Sequence, residues 1–141
     1  MTSKMFIDTN IFIDVFTARP AFLNSSKAVL ELCEANQIEG FTTASAVTDI
    51  FYLIRKLLHS TDQAYQALGH ILNIIKVLPV TNEAVLKAYA RQASEFEDCL
   101  QAICAAENHC TAIVTRDQKG FREFGVALLS PEEVIAQFGK K

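Results

Sequence analysis

The sequence predicts an α/β protein: a single-domain, three-layer α/β/α sandwich around a central, mostly parallel five-stranded sheet. Three observations lead there. Short apolar runs alternate with amphipathic stretches of helical period, the pattern of βα units that cover a parallel sheet on both faces. The first and fourth apolar runs end abruptly at a carboxylate, Asp8 and Asp117. No long linker, repeat or low-complexity segment interrupts the 141 residues, so residues 1–141 read as one domain, able to remove about two-thirds of its unfolded surface from water.

Met5-Phe6-Ile7 forms the first strand, which stops at Asp8-Thr9-Asn10. Pro20 precedes a helix expected over 21–36, with Val29, Leu32 and Cys33 at i, i+3 and i+4. Gly40 punctuates the chain before a short Phe41-Thr42-Thr43 strand. Val47, Ile50, Phe51, Ile54 and Leu58 then share one helical face, which places Asp49 on the opposite face with Ser45, Tyr52 and Lys56. Ser60-Thr61-Asp62-Gln63 has the spacing of a capping box and opens a helix carrying Ala64, Ala67, Leu68, Ile71, Leu72 and Ile75. Val77-Leu78-Pro79-Val80 is the third strand.

A fourth helix starts near Asn82 and carries Val85, Ala88 and Tyr89. Ser94-Glu95-Phe96-Glu97 is a second capping box, opening a helix with Leu100, Ile103 and Cys104 that stops at Asn108. The fourth and fifth strands are expected over 111–115 and 126–129. Ser130-Pro131-Glu132-Glu133 combines an N-cap, proline at the first helical position and an acid two residues on, so the last helix runs to Phe138 before Gly139.

Composition narrows the function classes. Apolar residues make up 50% and charged residues 21%, an apolar excess that leaves surface for a partner. No run approaches the roughly 18 apolar residues of a membrane span, and Asp8 breaks the first apolar run too early for a signal peptide; a cytoplasmic protein is expected, with no membrane partner. Cysteines 33, 99, 104 and 110 include no C-x-x-C pair, which disfavours zinc, and Cys33 and Cys104 fall at core positions. No serine, cysteine or histidine stands in a nucleophile setting. The net charge of -3 argues against gripping nucleic acid by bulk charge, though not against a metal-dependent nucleic-acid enzyme.

The acids carry the chemistry. In an open α/β sheet, ligands bind outside the carboxyl ends of the strands, where Asp8 and Asp117 stand. Taken singly, each of the four has an ordinary explanation: Asp8 as a helix N-cap, Asp117 as a turn residue, Asp98 as a first-turn acid favoured by the helix dipole, and Asp49 as part of a solvated face. Jointly they converge, because in a parallel sheet helix starts share an edge with strand ends. Clustered carboxylates repel one another, so raised, coupled pKa values are expected, relieved by a hard cation such as Mg²⁺ or Mn²⁺.

Phe6-Ile7-Asp8-Thr9-Asn10-Ile11-Phe12-Ile13-Asp14, Glu97-Asp98-Cys99-Leu100-Gln101-Ala102 and Ile113-Val114-Thr115-Arg116-Asp117 with Phe121 resemble, in order and spacing, the PIN-domain nucleases. The likeness is greatest to the small VapC-like toxins of toxin-antitoxin pairs and covers nearly the whole chain. It implies Mg²⁺ or Mn²⁺ held by Asp8, Asp98 and Asp117, with Asn10 and Thr115 orienting carboxylates or water. Such proteins usually carry glutamate at the second acidic position. This chain offers Asp49 there, one methylene shorter, for which contact through a water is expected, while Glu97 competes for the role of Asp98.

The implied reaction is metal-assisted hydrolysis of an RNA phosphodiester, and the implied partners are an RNA substrate, a cognate antitoxin and a second copy in a homodimer. Arg116, Lys119 and Arg122, with Arg19, are candidate phosphate contacts or a solvated basic face; Phe121 reads as a core plug. Two alternatives stand beside this reading. Asp8 as an aspartyl nucleophile would make a phosphotransferase, although Asn10 occupies the place of that motif's second acid. A degenerate PIN fold would be a binding module.

Overall fold

The structure is a computed structural model that describes residues 2–139. Strands β1 (Ser3–Ile7), β2 (Ile38–Thr43), β3 (Ile75–Leu78), β4 (Ala112–Val114) and β5 (Leu128–Leu129) form one sheet in the order β3-β2-β1-β4-β5. All four pairings are parallel, so the expected mostly parallel sheet is wholly parallel among the described residues. Helices α1 (Thr9–Phe16), α2 (Leu23–Glu34), α3 (Ala44–Leu58), α4 (Thr61–Ile74), α5 (Asn82–Arg91), α6 (Phe96–Glu107) and α7 (Pro131–Phe138) complete the sandwich.

Strand alternation builds the two cores. Met5 and Ile7 of β1 face a core with Ile11, Val29, Ile50, Ile71 and Val134, from α1, α2, α3, α4 and α7. Phe6 points the other way, to Phe41, Leu78, Ala102, Ala105, Ile113 and Phe121. The small residues Ala84 and Ala88 of α5 lie against Cys99, Leu100 and Cys104 of α6, closing the second layer. Phe121 is 1% exposed, the core plug the sequence suggests.

Four expectations need correction. The segment 9–16 is a helix, which the sequence marks only through Asp8 as a possible N-cap. Ile11, Phe12, Ile13 and Asp14 are all buried, and a helix buried all round shows no polar face to mark its period. β3 begins at Ile75, directly on the end of α4, and stops at Leu78, because Pro79 has no N–H to continue the ladder. β5 shrinks to Leu128–Leu129. In α3 the fully buried stripe is Ala46, Ile50 and Ile54, with Val47, Phe51 and Leu58 only partly covered.

Capping signals fare unevenly. Ser130 and Glu133 form the reciprocal box at α7, and Ser60 accepts from the Gln63 amide at α4. Ser94 caps nothing; Glu95 holds the N-cap position of α6 without a side-chain bond.

Gly40 fixes the approach of α2 to the sheet. A Cβ built there would lie 2.7 Å from Cys33 Sγ and 3.0 Å from Ile75 Cγ2, inside contact distance of two buried groups. Gly40→Ala is expected to lower unfolding free energy by about 1–3 kcal/mol, measured by urea denaturation, with the slope unchanged.

Candidate active site

β1 is central, and the chain first winds outward through β2 and β3, then crosses by α5 and α6 to β4 on the other side. The crevice where winding reverses therefore opens at the carboxyl ends of β1 and β4. Asp8 stands there, its amide donating to the Val114 carbonyl at 3.0 Å. It occupies the N-cap position of α1, yet its side chain makes no capping bond. Instead Thr115 Oγ1 donates to Asp8 Oδ2 at 2.8 Å, and the same oxygen accepts from the Asp117 amide at 2.9 Å. One hydroxyl thus links two acids across two strands.

Asp98 enters from the first turn of α6 and Asp49 from α3. An open cleft of about 370 Å³ is lined by Asp8, Thr9, Asn10, Asp49, Tyr52, Leu53, Glu97, Asp98 and Gln101. Asp98 also borders a second hollow with Ser94, Glu95, Asp117, Lys119, Gly120 and Glu123. The four predicted acids therefore surround one crevice with Asp98 between its two arms. Gly120 keeps that crevice open: a Cβ there would lie 2.8 Å from Asp98 Oδ2 and 3.4 Å from Asp117 Oδ2.

Proton affinities record the crowding. Burial raises the Asp8 carboxyl, at 7% exposure, and the nearby Asp117 charge adds to it; the Thr115 bond, the Thr9 amide and Arg116 oppose the rise. Burial also pushes Asp98 up to about 6, helped by Asp8, Glu95 and Asp117. Glu97 rises to about 7, chiefly through a hydrogen bond with Asp49, then through burial and the charges of Asp49, Asp98 and Asp8. Glu97 thus joins the cluster as the partner of Asp49, a pairing between two helices that sequence spacing does not show.

Among the described residues, no three histidine, cysteine or carboxylate side chains converge as a ready metal cage. The donor set nevertheless fits a hard divalent cation. It consists of carboxylate oxygens, burial and neighbouring acids raise the proton affinities of Asp8 and Asp98, and Gly120 preserves room between Asp98 and Asp117. The thiols offer no alternative chemistry. Cys33, Cys99 and Cys104 are buried, and burial pushes Cys33 up to about 12 and Cys110 to about 11.

The cationic candidates divide. Arg116 grips Asp14 with two bonds, Nε to Oδ2 at 2.8 Å and a terminal nitrogen to Oδ1 at 2.7 Å, and stacks 3.7 Å from the Phe22 ring centroid. Asp14 is 0% exposed and also accepts from Ser26 Oγ at 2.8 Å, with Arg19 at 3.6 Å. Arg116 and Arg19 are thereby engaged within the fold. Lys119 lines the Asp98–Asp117 hollow, and Arg122 is exposed beyond it. Asn10 lines the cleft without a hydrogen bond to any of the four acids among the described residues. Asp14 is the residue the sequence reading passed over, although an acid inside the apolar run 11–16 signals a buried ion pair.

The molecule matches known proteins over most of its length. A family model described as PIN domain matches residues 4–119. Ribonuclease VapC1 of Aquifex aeolicus (strain VF5) is 25% identical over 137 residues, covering 94% of this chain and 93% of that protein. The structure of Mycobacterium tuberculosis VapC20, described as a sarcin-ricin loop cleaving toxin, superposes with a TM-score of 0.68 at 16% identity, covering 87% of this chain and 96% of that one. VapBC2 from Rickettsia felis, bound to a DNA fragment from their promoter, gives 0.68 at 19% identity, covering 90% and 98%.

Two outcomes follow from the geometry. Removing the carboxylate of Asp14 leaves the Arg116 guanidinium without its partner, so Asp14→Ala should cost about 3 kcal/mol in urea denaturation. Raised acid values also set a pH dependence. A carboxyl that holds its proton more tightly when folded contributes stability below its unfolded value, 3.8 for Asp98 and 4.5 for Glu97, and loses it as pH climbs through about 6 and about 7. Without divalent cations the melting temperature should fall across that window, and Asp49→Asn should flatten the Glu97 part of the fall.

Proposed function

The chain belongs to the PIN-domain family, and on that premise we propose that it is a ribonuclease that hydrolyses RNA phosphodiester bonds with Mg²⁺ or Mn²⁺, serving as the toxin of a toxin-antitoxin pair. The observation that carries the reading is that Asp8, Asp49, Glu97 and Asp98 line one hollow at the carboxyl ends of the strands while Asp98 and Asp117 line a second. Asp8, Asp98 and Asp117 would hold the cation, and Asp49 would reach it through a water. When bound, the cation supplies Lewis-acid polarisation of the phosphodiester and eases the loss of a proton from water.

The remaining work falls to side chains of the protein. Thr115 fixes the Asp8 carboxylate by donating to one oxygen, and its bond from the Asp117 amide orients the loop that presents the third acid. The Asp49–Glu97 pair, with Glu97 near 7, can hold or release a proton at neutral pH beside the attacking water or the departing oxygen. Lys119 can meet a phosphate flanking the scissile one. The name of the Aquifex relative, a ribonuclease, supports an RNA substrate, and the toxin-antitoxin complexes among the structural relatives support a protein antitoxin. Exposed apolar side chains on α3, α4 and α5, such as Leu57, Tyr65, Leu86 and Tyr89, offer surface for that antitoxin and for a homodimer in the cytoplasm.

Purified protein incubated with structured RNA is expected to cleave in Mg²⁺ or Mn²⁺ and to stop in a chelator, with Asp8→Asn slower by at least about a hundredfold. Cleavage that persists in the chelator, or equal rates in the variant, rejects the mechanism. An acid-labile phosphoenzyme on intact RNA would instead favour Asp8 as a phosphoryl acceptor. Gly120→Ala should retain its melting temperature within a few degrees yet lose metal-dependent cleavage, because the added methyl crowds Asp98 and Asp117.

A further inference from the structure

Gln101 is a third polar residue of α6 on the cleft, beside Glu97 and Asp98, and the one that is not an acid. It is 2% exposed, it lines the cleft with Asp8 and Asp98, and its amide oxygen has no hydrogen-bond partner among the described residues. Thr9 Oγ1, of another residue lining the cleft, is likewise buried and unpartnered among the described residues. Leu100 and Ala102 on either side are buried apolar residues, so a hydrophobe at 101 would have packed at less cost than an amide left without a bond. An orphaned acceptor at the wall of an open cleft points to a donor brought by a ligand.

Resting on the ribonuclease reading, we propose that the cleft is a nucleotide subsite in which Gln101 accepts a hydrogen bond from the ribose 2′-hydroxyl beside the scissile phosphate. The makeup of the cleft lining carries this. Asp8 and Asp98 supply the acids that a metal-bound phosphate needs, and Gln101 follows Asp98 by three residues, on the same side of the helix. Tyr52, 52% exposed, and Leu53 give an apolar rim where a base can stack. One cleft thus holds an acid for the phosphate, an amide for the sugar and a ring for the base. The ribose hydroxyl is the donor nearest the phosphate, and it distinguishes RNA from DNA at a single nucleotide. Water is the nucleophile in this chemistry, so the 2′-hydroxyl stays intact and free to donate.

The test uses the full-length chain in Mg²⁺ and an oligoribonucleotide spanning a mapped cleavage site, with a set carrying one deoxynucleotide scanned across it. Wild type is expected to slow roughly tenfold when the deoxynucleotide occupies the subsite. Gln101→Leu should slow roughly tenfold on the all-ribose strand and show no further loss on the deoxy strand, the non-additive result of removing either partner of one bond. Gln101→Met, nearer in shape, should repeat this, with folding checked by urea denaturation. In the Asp8→Asn background without metal, dissociation constants by fluorescence anisotropy should follow the same pattern. Wild type indifferent to every deoxy substitution, or losses that multiply in the variants, would overturn the assignment while leaving the nuclease intact. No cleavage of the all-ribose strand by wild type would remove the nuclease reading and this assignment together.

Discussion

The Thr115 hydroxyl donates to Asp8 and accepts from the Asp117 amide, and both acids depend on where that one oxygen sits. Its position is imposed by the sheet. β1 and β4 are locked in parallel register with Phe6 opposite Ile113 and Ile7 opposite Val114, so Asp8 and Thr115 emerge side by side from the buried ends of two strands. A carboxylate at such a place cannot recover its lost hydration, and burial raises its proton affinity. The crevice is therefore short of positive charge, and its first acid, Asp8, is set by backbone register.

The Asp14–Arg116 pair, its carboxylate buried and its guanidinium partly covered, secures the same region from behind. Arg116 lies between Thr115 and Asp117, and its two bonds to Asp14 bind the β4 exit loop to α1, while Phe22 covers its planar face. A buried pair of this kind contributes more to fixing a geometry than to net stability. The helix it anchors is the one the sequence conceals, so the loop that presents Asp117 rests on an element whose period cannot be read.

Much of the fold was legible because βα alternation leaves strong periodic marks. The first and fourth strands, the helices after Pro20, Ser60 and Ser130, and the edge on which Asp8, Asp98 and Asp117 gather all follow from pattern. What escaped depends on contacts between residues far apart. Asp49 reads as a solvated residue and is exposed, but the wheel of α3 says nothing of α6, whose Glu97 is its partner. Arg116 reads as a phosphate contact until α1 brings Asp14 beneath it. Ser94 has a capping spacing, but the helix starts one residue later than that box requires, with Glu95 at its N-cap.

The two outer strands have a bearing on how the chain behaves at high concentration. β5 contributes only Leu128 and Leu129, and β3 only four residues, with the Lys76 side chain exposed and ion-paired to Glu39 of the adjacent strand. Brief margins and a charged side chain deny a neighbouring molecule a long run of free amide and carbonyl groups. A chain that is half apolar, with a sheet that is wholly parallel among the described residues, is thereby guarded against lateral strand stacking into fibrils.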